Sequence, residues 1–203
     1  MQKTLGIKHE DELARRGLYP VAGVDEVGRG PLAGPVVACA LILPQWLVID
    51  GVNDSKKLSA KKRETLAAEI KNAALAYAFG IADVKTIDRI NILQAAMQAM
   101  KEAVEGLEIT PKVALVDGTT APNLSCEVVC LAQGDSKSHL IAAASILAKV
   151  ERDAIMVKLH DEYPMYSFKS HKGYGTKAHR EALTQYGLCP EHRRSFCKSF
   201  LNK

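Results

Sequence analysis

A short connection between two apolar runs constrains this chain more than any other feature. Residues 21–24 read VAGV and lead straight into Asp25 and Glu26. A loop containing GRGPLAGP follows, and residues 36–43 then read VVACALIL. Two strands joined by so short a connection pair antiparallel, because a parallel return needs a crossover of about a dozen residues or more. The first strand therefore ends on two adjacent carboxylates, with Arg29 held between Gly28 and Gly30. Adjacent strand residues point to opposite faces. For both acids to serve one site, the strand is expected to bulge, or the glycines to turn the chain at once.

The rest of the chain supplies more strands and helices to cover them. Residues 1–16 read as a short polar helix, and Ser59 as the cap of a helix over residues 60–73. Residues 75–82 read as a third strand. Asn91 and Gln94 resemble a capping box for a helix whose apolar stripe is Leu93, Ala96, Met97, Met100, Val104 and Leu107. Residues 113–116 and 127–131 read as two further strands. A long helix over about 138–160 shows the stripe Leu140, Ala143, Leu147, Val150, Ala154 and Val157. After Pro164 the chain turns short, basic and loop-rich, with one helix over 177–186 ended by Gly187. The expectation is an α/β domain over residues 1–163, with a mixed sheet covered by helices. A basic helical extension over 164–203 packs on it.

Four acids stand at element ends: Asp25 and Glu26 after the first strand, Asp117 after VALV, and Asp135 before the long helix. Carboxylates at the ends of neighbouring strands converge. Left alone they repel and raise one another's pKa, and a divalent cation removes the conflict. Hard oxygen donors favour magnesium or manganese over zinc, and such a site suits phosphoryl chemistry. The glycine loop is not a Walker motif, since it lacks GK[ST] and joins two strands. The five cysteines include no CxxC pair, which fits packed thiols better than a zinc site.

Charge adds a partner class. The net charge is +4, and the lysines and arginines cluster in DSKKLSAKKR, FKSHKGYGTKAHR and PEHRRSFCK, patterns that suit phosphate contacts. No apolar run approaches the ~20 residues of a membrane span. The N-terminus lacks the apolar core of a secretory signal, so a cytoplasmic monomer is the default expectation.

Seven blocks in order carry a specific resemblance: GVDEVGRGPLAGPVVA, NDSKKLS, LVDG, GDSKS, IAAASILAKVERD, YPMYSFKSHKGYGTKAH and PEHRRSF. Over residues 19–196 the chain resembles the bacterial ribonuclease HII family. The resemblance implies a ribonuclease H-like mixed five-stranded sheet flanked by helices, with a small C-terminal helical extension. It implies magnesium- or manganese-dependent cleavage of the RNA strand in RNA–DNA hybrids and at ribonucleotides embedded in duplex DNA. The expected products carry a 3′-hydroxyl and a 5′-phosphate. The catalytic and metal-holding residues it implies are Asp25, Glu26, Asp117 and Asp135. Gly28, Arg29 and Gly30 match the family's backbone-touching loop, and Tyr174 its sugar-sensing tyrosine. Lys56, Lys57, Ser145, Lys149 and Lys172 are the further expected substrate contacts. A 2′-hydroxyl is donor and acceptor at once, so peptide groups exposed by glycines can read it without reading bases. A DNA-directed nuclease and a non-catalytic hybrid-binding module are the competing readings. The last residues, KSFLNK, carry no recognisable motif for docking to a replication clamp.

Overall fold

The computed structural model describes residues 4–201. Residues 1–3 of the expected first helix, and 202–203 of the expected extension, lie outside them. The elements run α1 (Lys8–Arg15), β1 (Val21–Val27), β2 (Val36–Ile42), α2 (Ala60–Ala73), β3 (Ala76–Ala82), α3 (Val84–Ile90), α4 (Ile92–Glu105), β4 (Val113–Asp117), β5 (Glu127–Leu131), α5 (His139–Glu162), α6 (Phe168–His171), α7 (Lys177–Tyr186) and α8 (Lys198–Leu201). Ser59 caps α2 through a bond from the Lys62 N–H, and Asn91 caps α4 by accepting from the N–H groups of Leu93 and Gln94. Sequence periodicity missed α3, whose roughly two turns are capped by Asp83.

The five strands form one mixed sheet in the order β3-β2-β1-β4-β5. β1 pairs antiparallel with β2, and β2 with β3; β1 pairs parallel with β4, and β4 with β5. All seven residues of β2 are buried, as a strand covered on both faces requires. On one face α2 and α5 bury Cys39, Leu41, Leu115, Ile141 and Ile146. On the other, α4 covers Val24, Ala40, Ile42 and Val116. Two glycines set how near those helices lie. A Cβ on Gly23 would sit 2.6 Å from the Leu140 main chain of α5, and one on Gly80 only 1.9 Å from the Ala99 carbonyl oxygen of α4. Ala95, Ala99 and Ala103 form the buried ridge that the close approach needs.

The long helix departs from the expected stripe in its second half. Leu140, Ala143 and Leu147 are buried, but Ala154 and Val157 are exposed; Arg152, Met156 and Leu159 are buried instead. The helix has by then run past the sheet. Its inward side meets the loop after β1 and a small apolar cluster of Ala33, Met156, Tyr166, Phe168 and Leu183, contributed largely by the residues after 164.

Gly80→Ala is expected to lose about 1–3 kcal/mol of stability, because backbone atoms on both sides must move. Denaturant unfolding measures the loss; an unchanged midpoint would contradict the close helix–sheet contact.

Candidate active site

β1 is regular to its end. Its register with β2 runs without a break from Gly23↔Leu41 to Val27↔Val37, so the expected bulge at Asp25–Glu26 is absent. The other solution is realised: Gly28 turns the chain immediately after the strand, with φ +100°. Pairing with β4 also stops one residue before the acids, at Val24↔Val116. Beyond that point one edge of β1 is uncovered. Side chains from both of its faces reach around that edge into one cleft of ≈ 320 Å³.

Asp25, Glu26 and Asp117 line this cleft together. Asp25 is 5% exposed, and its Oδ1 accepts the Glu26 N–H at 2.7 Å. Burial raises its pKa well above the usual carboxylate range. The charges of Glu26 and Asp117 raise it further, while a Ser145 hydrogen bond opposes them. Burial also raises Glu26, against the pull of Arg29, whose Nη1 lies 3.3 Å from Glu26 Oε1. Asp117 Oδ1 accepts the Gly134 N–H at 2.6 Å, which ties β4 to the 3-10 turn Gly134–Ser136. Asp135, in that turn, is buried but is not among the lining side chains. Its Oδ2 accepts from Lys56 Nζ at 2.9 Å, and Lys56 does line the cleft. Among the described residues, no three His, Cys, Asp or Glu side chains stand grouped closely enough to grip an ion as they are. The donor set nevertheless fits a hard divalent cation. Carboxylate oxygens from two strand ends share one small volume, and burial and mutual repulsion push Asp25 towards its protonated form.

The expected substrate contacts divide. Gly28, Arg29, Gly30, Lys56, Ser145, Lys149 and Tyr174 all line the cleft. Tyr174 is 44% exposed, and a Cβ on Gly30 would lie 3.7 Å from its ring. Ser145 shares a 3.1 Å hydroxyl contact with Ser55, which fixes the DSKK turn beside Asp25. Lys149 is held by Asp153 at 2.7 Å. Lys57 and Lys172 do not line this cleft. Lys57 faces Asp54 at 3.6 Å, and Lys172 lines an adjoining groove of ≈ 420 Å³ that shares Arg63 and Lys149 with the cleft. The three histidines of the extension, His171, His179 and His192, lie elsewhere and are hydrogen-bonded: His171 Nε2 meets the Tyr166 carbonyl at 2.7 Å, and His179 Nε2 meets His192 Nε2 at 3.0 Å.

Sequence reasoning missed three arginines. Arg63 donates to the carbonyls of Ser55 and Leu58 and lines the cleft, but on α2 it reads as one more cation in KKRE. Arg152 and Arg193 are fully buried. The signal for each was its place in a quoted block, PEHRRSF for Arg193 and IAAASILAKVERD for Arg152, although the apolar stripe of the long helix passes Arg152 by.

Raised carboxyl pKa values mean that the folded state keeps protons which the unfolded chain gives up. Their stabilising effect is complete below the ordinary carboxylate range and is lost as pH climbs through the raised values. Asp25→Asn is therefore expected to melt above the wild type at pH 8, by about 2–4 °C for each kcal/mol of repulsion relieved. The gap should narrow as the pH falls to about 4. Melting curves at several pH values in chelator test this; a gap independent of pH would remove the repulsion.

Comparisons with known proteins agree with the geometry. A family model described as ribonuclease HII matches residues 22–200. The ribonuclease HII of Caldicellulosiruptor bescii is 50% identical over 193 residues, covering 95% of this chain and 94% of its own. That of Oceanobacillus iheyensis is 51% identical over 93% of this chain and 72% of its own. Among solved structures, ribonuclease H2 from Pyrococcus horikoshii OT3 matches with TM-score 0.73 and 28% identity, over 90% of this chain and 99% of that one. Archaeoglobus fulgidus RNase HII, solved as a complex with PCNA, gives TM-score 0.71 and 28% identity, over 85% of this chain and 93% of that one. Sheet order, cleft and sequence match converge on one conclusion: the chain belongs to the ribonuclease HII family, the endonucleases of RNA–DNA hybrids.

Proposed function

We propose that this protein cuts the RNA strand of RNA–DNA hybrids, and also duplex DNA at single embedded ribonucleotides, leaving a 3′-hydroxyl and a 5′-phosphate. The observation that carries the reading is the joint lining of one basic cleft by three strand-end carboxylates, the Gly28–Gly30 loop and Tyr174. Asp25, Glu26 and Asp117 would hold a divalent cation, magnesium or manganese. Asp135 would join them as Lys56 leaves it for a phosphate. Bound there, the cation would supply the Lewis acidity that activates water and neutralises the scissile phosphate. The chain's own residues do the rest. Arg29 and Lys56 supply positive charge at the mouth, where a phosphodiester backbone would run. The Gly28–Gly30 peptide groups, unobstructed by side chains at the glycines, meet the sugar and its 2′-hydroxyl. Tyr174, packed over Gly30, offers a ring face to the adjoining nucleotide. The groove holding Arg63, Lys149 and Lys172 extends the basic track along the duplex. Among the described residues no helix is long and apolar enough to cross a membrane. A cytoplasmic site of action accords with a nucleic-acid substrate.

Two duplexes, one with a single internal ribonucleotide and its all-deoxy twin, test the reading with magnesium or manganese. Cleavage is expected only in the first, on the 5′ side of a phosphate that stays with the downstream product. Equal cutting of both would identify a DNA nuclease, and tight binding without cutting a non-catalytic module. Asp25→Asn is expected to lower the rate by more than about 100-fold, beyond what loss of an outer-shell partner costs. Its affinity for the duplex should change less than about three-fold, since phosphate contacts dominate binding. Manganese should raise the melting temperature of the wild type at neutral pH and leave that of Asp25→Asn nearly unmoved. Near-wild-type turnover by the variant would overturn the assignment of Asp25.

A further inference from the structure

The glycine loop owes its shape to a residue more than 160 positions away. Arg193, 0% exposed, lies just before the 3-10 turn Arg194–Phe196. Its Nη2 donates to the Gly28 carbonyl at 2.6 Å, its Nη1 to the Arg29 carbonyl at 3.0 Å, and its Nε and Nη2 both reach the Gly34 carbonyl, at 2.9 and 2.7 Å. Arg152, equally buried, does the same from α5 for the neighbouring segment. It donates to Pro35 and Ala33, and to the Lys172 carbonyl at 3.0 Å, two residues before Tyr174. Main-chain bonds complete the frame: Leu32 N–H to Gly173, Gly34 N–H to Glu191, and Arg193 N–H to Leu32. The loop and Tyr174 are thus parts of one rigid assembly.

A buried guanidinium is an expensive way to fill space, and apolar side chains of similar size would do so without desolvating a charge. Burial and the neighbouring Arg152 charge push the Arg193 pKa down to about 9, which leaves the five-donor fork protonated at neutral pH. What the fork supplies is orientation. The Gly28 carbonyl and the Arg29 N–H belong to one peptide unit, as do the Arg29 carbonyl and the Gly30 N–H. In a trans peptide the N–H points opposite the carbonyl. Both carbonyls face Arg193, so both N–H groups face away from it, and neither finds an acceptor among the described residues. A charged donor on the carbonyl also polarises the peptide and strengthens its N–H as a donor.

We propose that Arg193 is a positioning residue for ribose selection, fixing and polarising the Arg29 and Gly30 N–H groups so that they meet the substrate sugar–phosphate in register with Tyr174. The inference rests on the function proposed above. Arg193 touches no substrate; it acts through the loop it holds. Arg193→Lys keeps the charge but can reach at most part of the three carbonyls, and Arg193→Ala removes all of them.

The test is steady-state cleavage of the single-ribonucleotide duplex by the wild type, Arg193→Lys, Arg193→Ala and Met100→Ala. The last is a core truncation on the buried side of α4, across the sheet from α5, and serves as the stability control. A misplaced loop is expected to lower kcat by about 100-fold while KM changes only a few-fold, because the basic groove still binds phosphate. Guanidinium ion at low millimolar concentration is expected to restore part of the Arg193→Ala rate, and none of any rate lost by Met100→Ala. Should Arg193→Ala not fold, Arg193→Lys decides by the same kcat-against-KM split. Arg193→Lys with wild-type kcat, or Arg193 variants whose losses merely follow their melting temperatures as Met100→Ala does, would overturn the proposal. A wild type that fails to cut this duplex would instead refute the function itself.

Discussion

Negative charge buried at the open end of β1 is the constraint on which the rest of the structure depends. Three carboxylates line one small cleft, and Asp25, buried at its base, answers by holding its proton more tightly. Such an arrangement lowers the stability of the unliganded fold, and it persists because the surroundings over-determine it. The strand carrying Asp25 is central and paired on its β2 side to the end, while Ser145 and the Glu26 N–H grip the carboxylate. Loss of stability in the empty protein is the counterpart of affinity for whatever positive charge enters.

The same region shows how differently this chain handles buried positive charge. Arg152 and Arg193 lie deep in the protein and bond to main-chain carbonyls. A carbonyl satisfies a guanidinium donor without neutralising it, so a local excess of positive charge lies behind the glycine loop. Burial costs are met twice within a short distance, once by acids facing the cleft and once by bases facing away from it. The loop Gly28–Gly30 runs between the two. A phosphodiester entering the cleft would find its anionic oxygens near the basic side and its bound cation near the acidic side.

The C-terminal segment takes part in this directly. Leu32, Gly34 and Ala33 exchange main-chain contacts with Gly173, Glu191, His192 and Arg193. Residues after 164 therefore belong to the walls of the cleft, through Tyr174, as much as to any appendage.

Periodicity and capping chemistry are local, and what they dictate was legible. The helix over 60–73 begins and ends where Ser59 and its helix formers put it, and the helix over 177–186 ends at Gly187. The antiparallel pairing of the first two strands followed from the brevity of their connection. The four acids, the glycine loop and Tyr174 could be named from motif order. Whatever depends on the third dimension could not be read. The sequence left two routes by which Asp25 and Glu26 could serve one site, a bulge or an immediate turn at the glycines; the fold takes the turn, beside an uncovered edge of β1. The stripe on the long helix was continued past Leu147 onto Ala154 and Val157, because periodicity assumes that one surface is covered throughout; the helix instead leaves the sheet and buries Arg152 against loop carbonyls. Sequence alone determined which residues could form strands and helices and which were candidates for the chemistry, since propensity, caps and charge are properties of neighbours along the chain. Only the tertiary structure decided that Lys56 meets Asp135 and that Arg193 holds Gly28, because those contacts join residues 79 and 165 positions apart, and no local rule spans that distance.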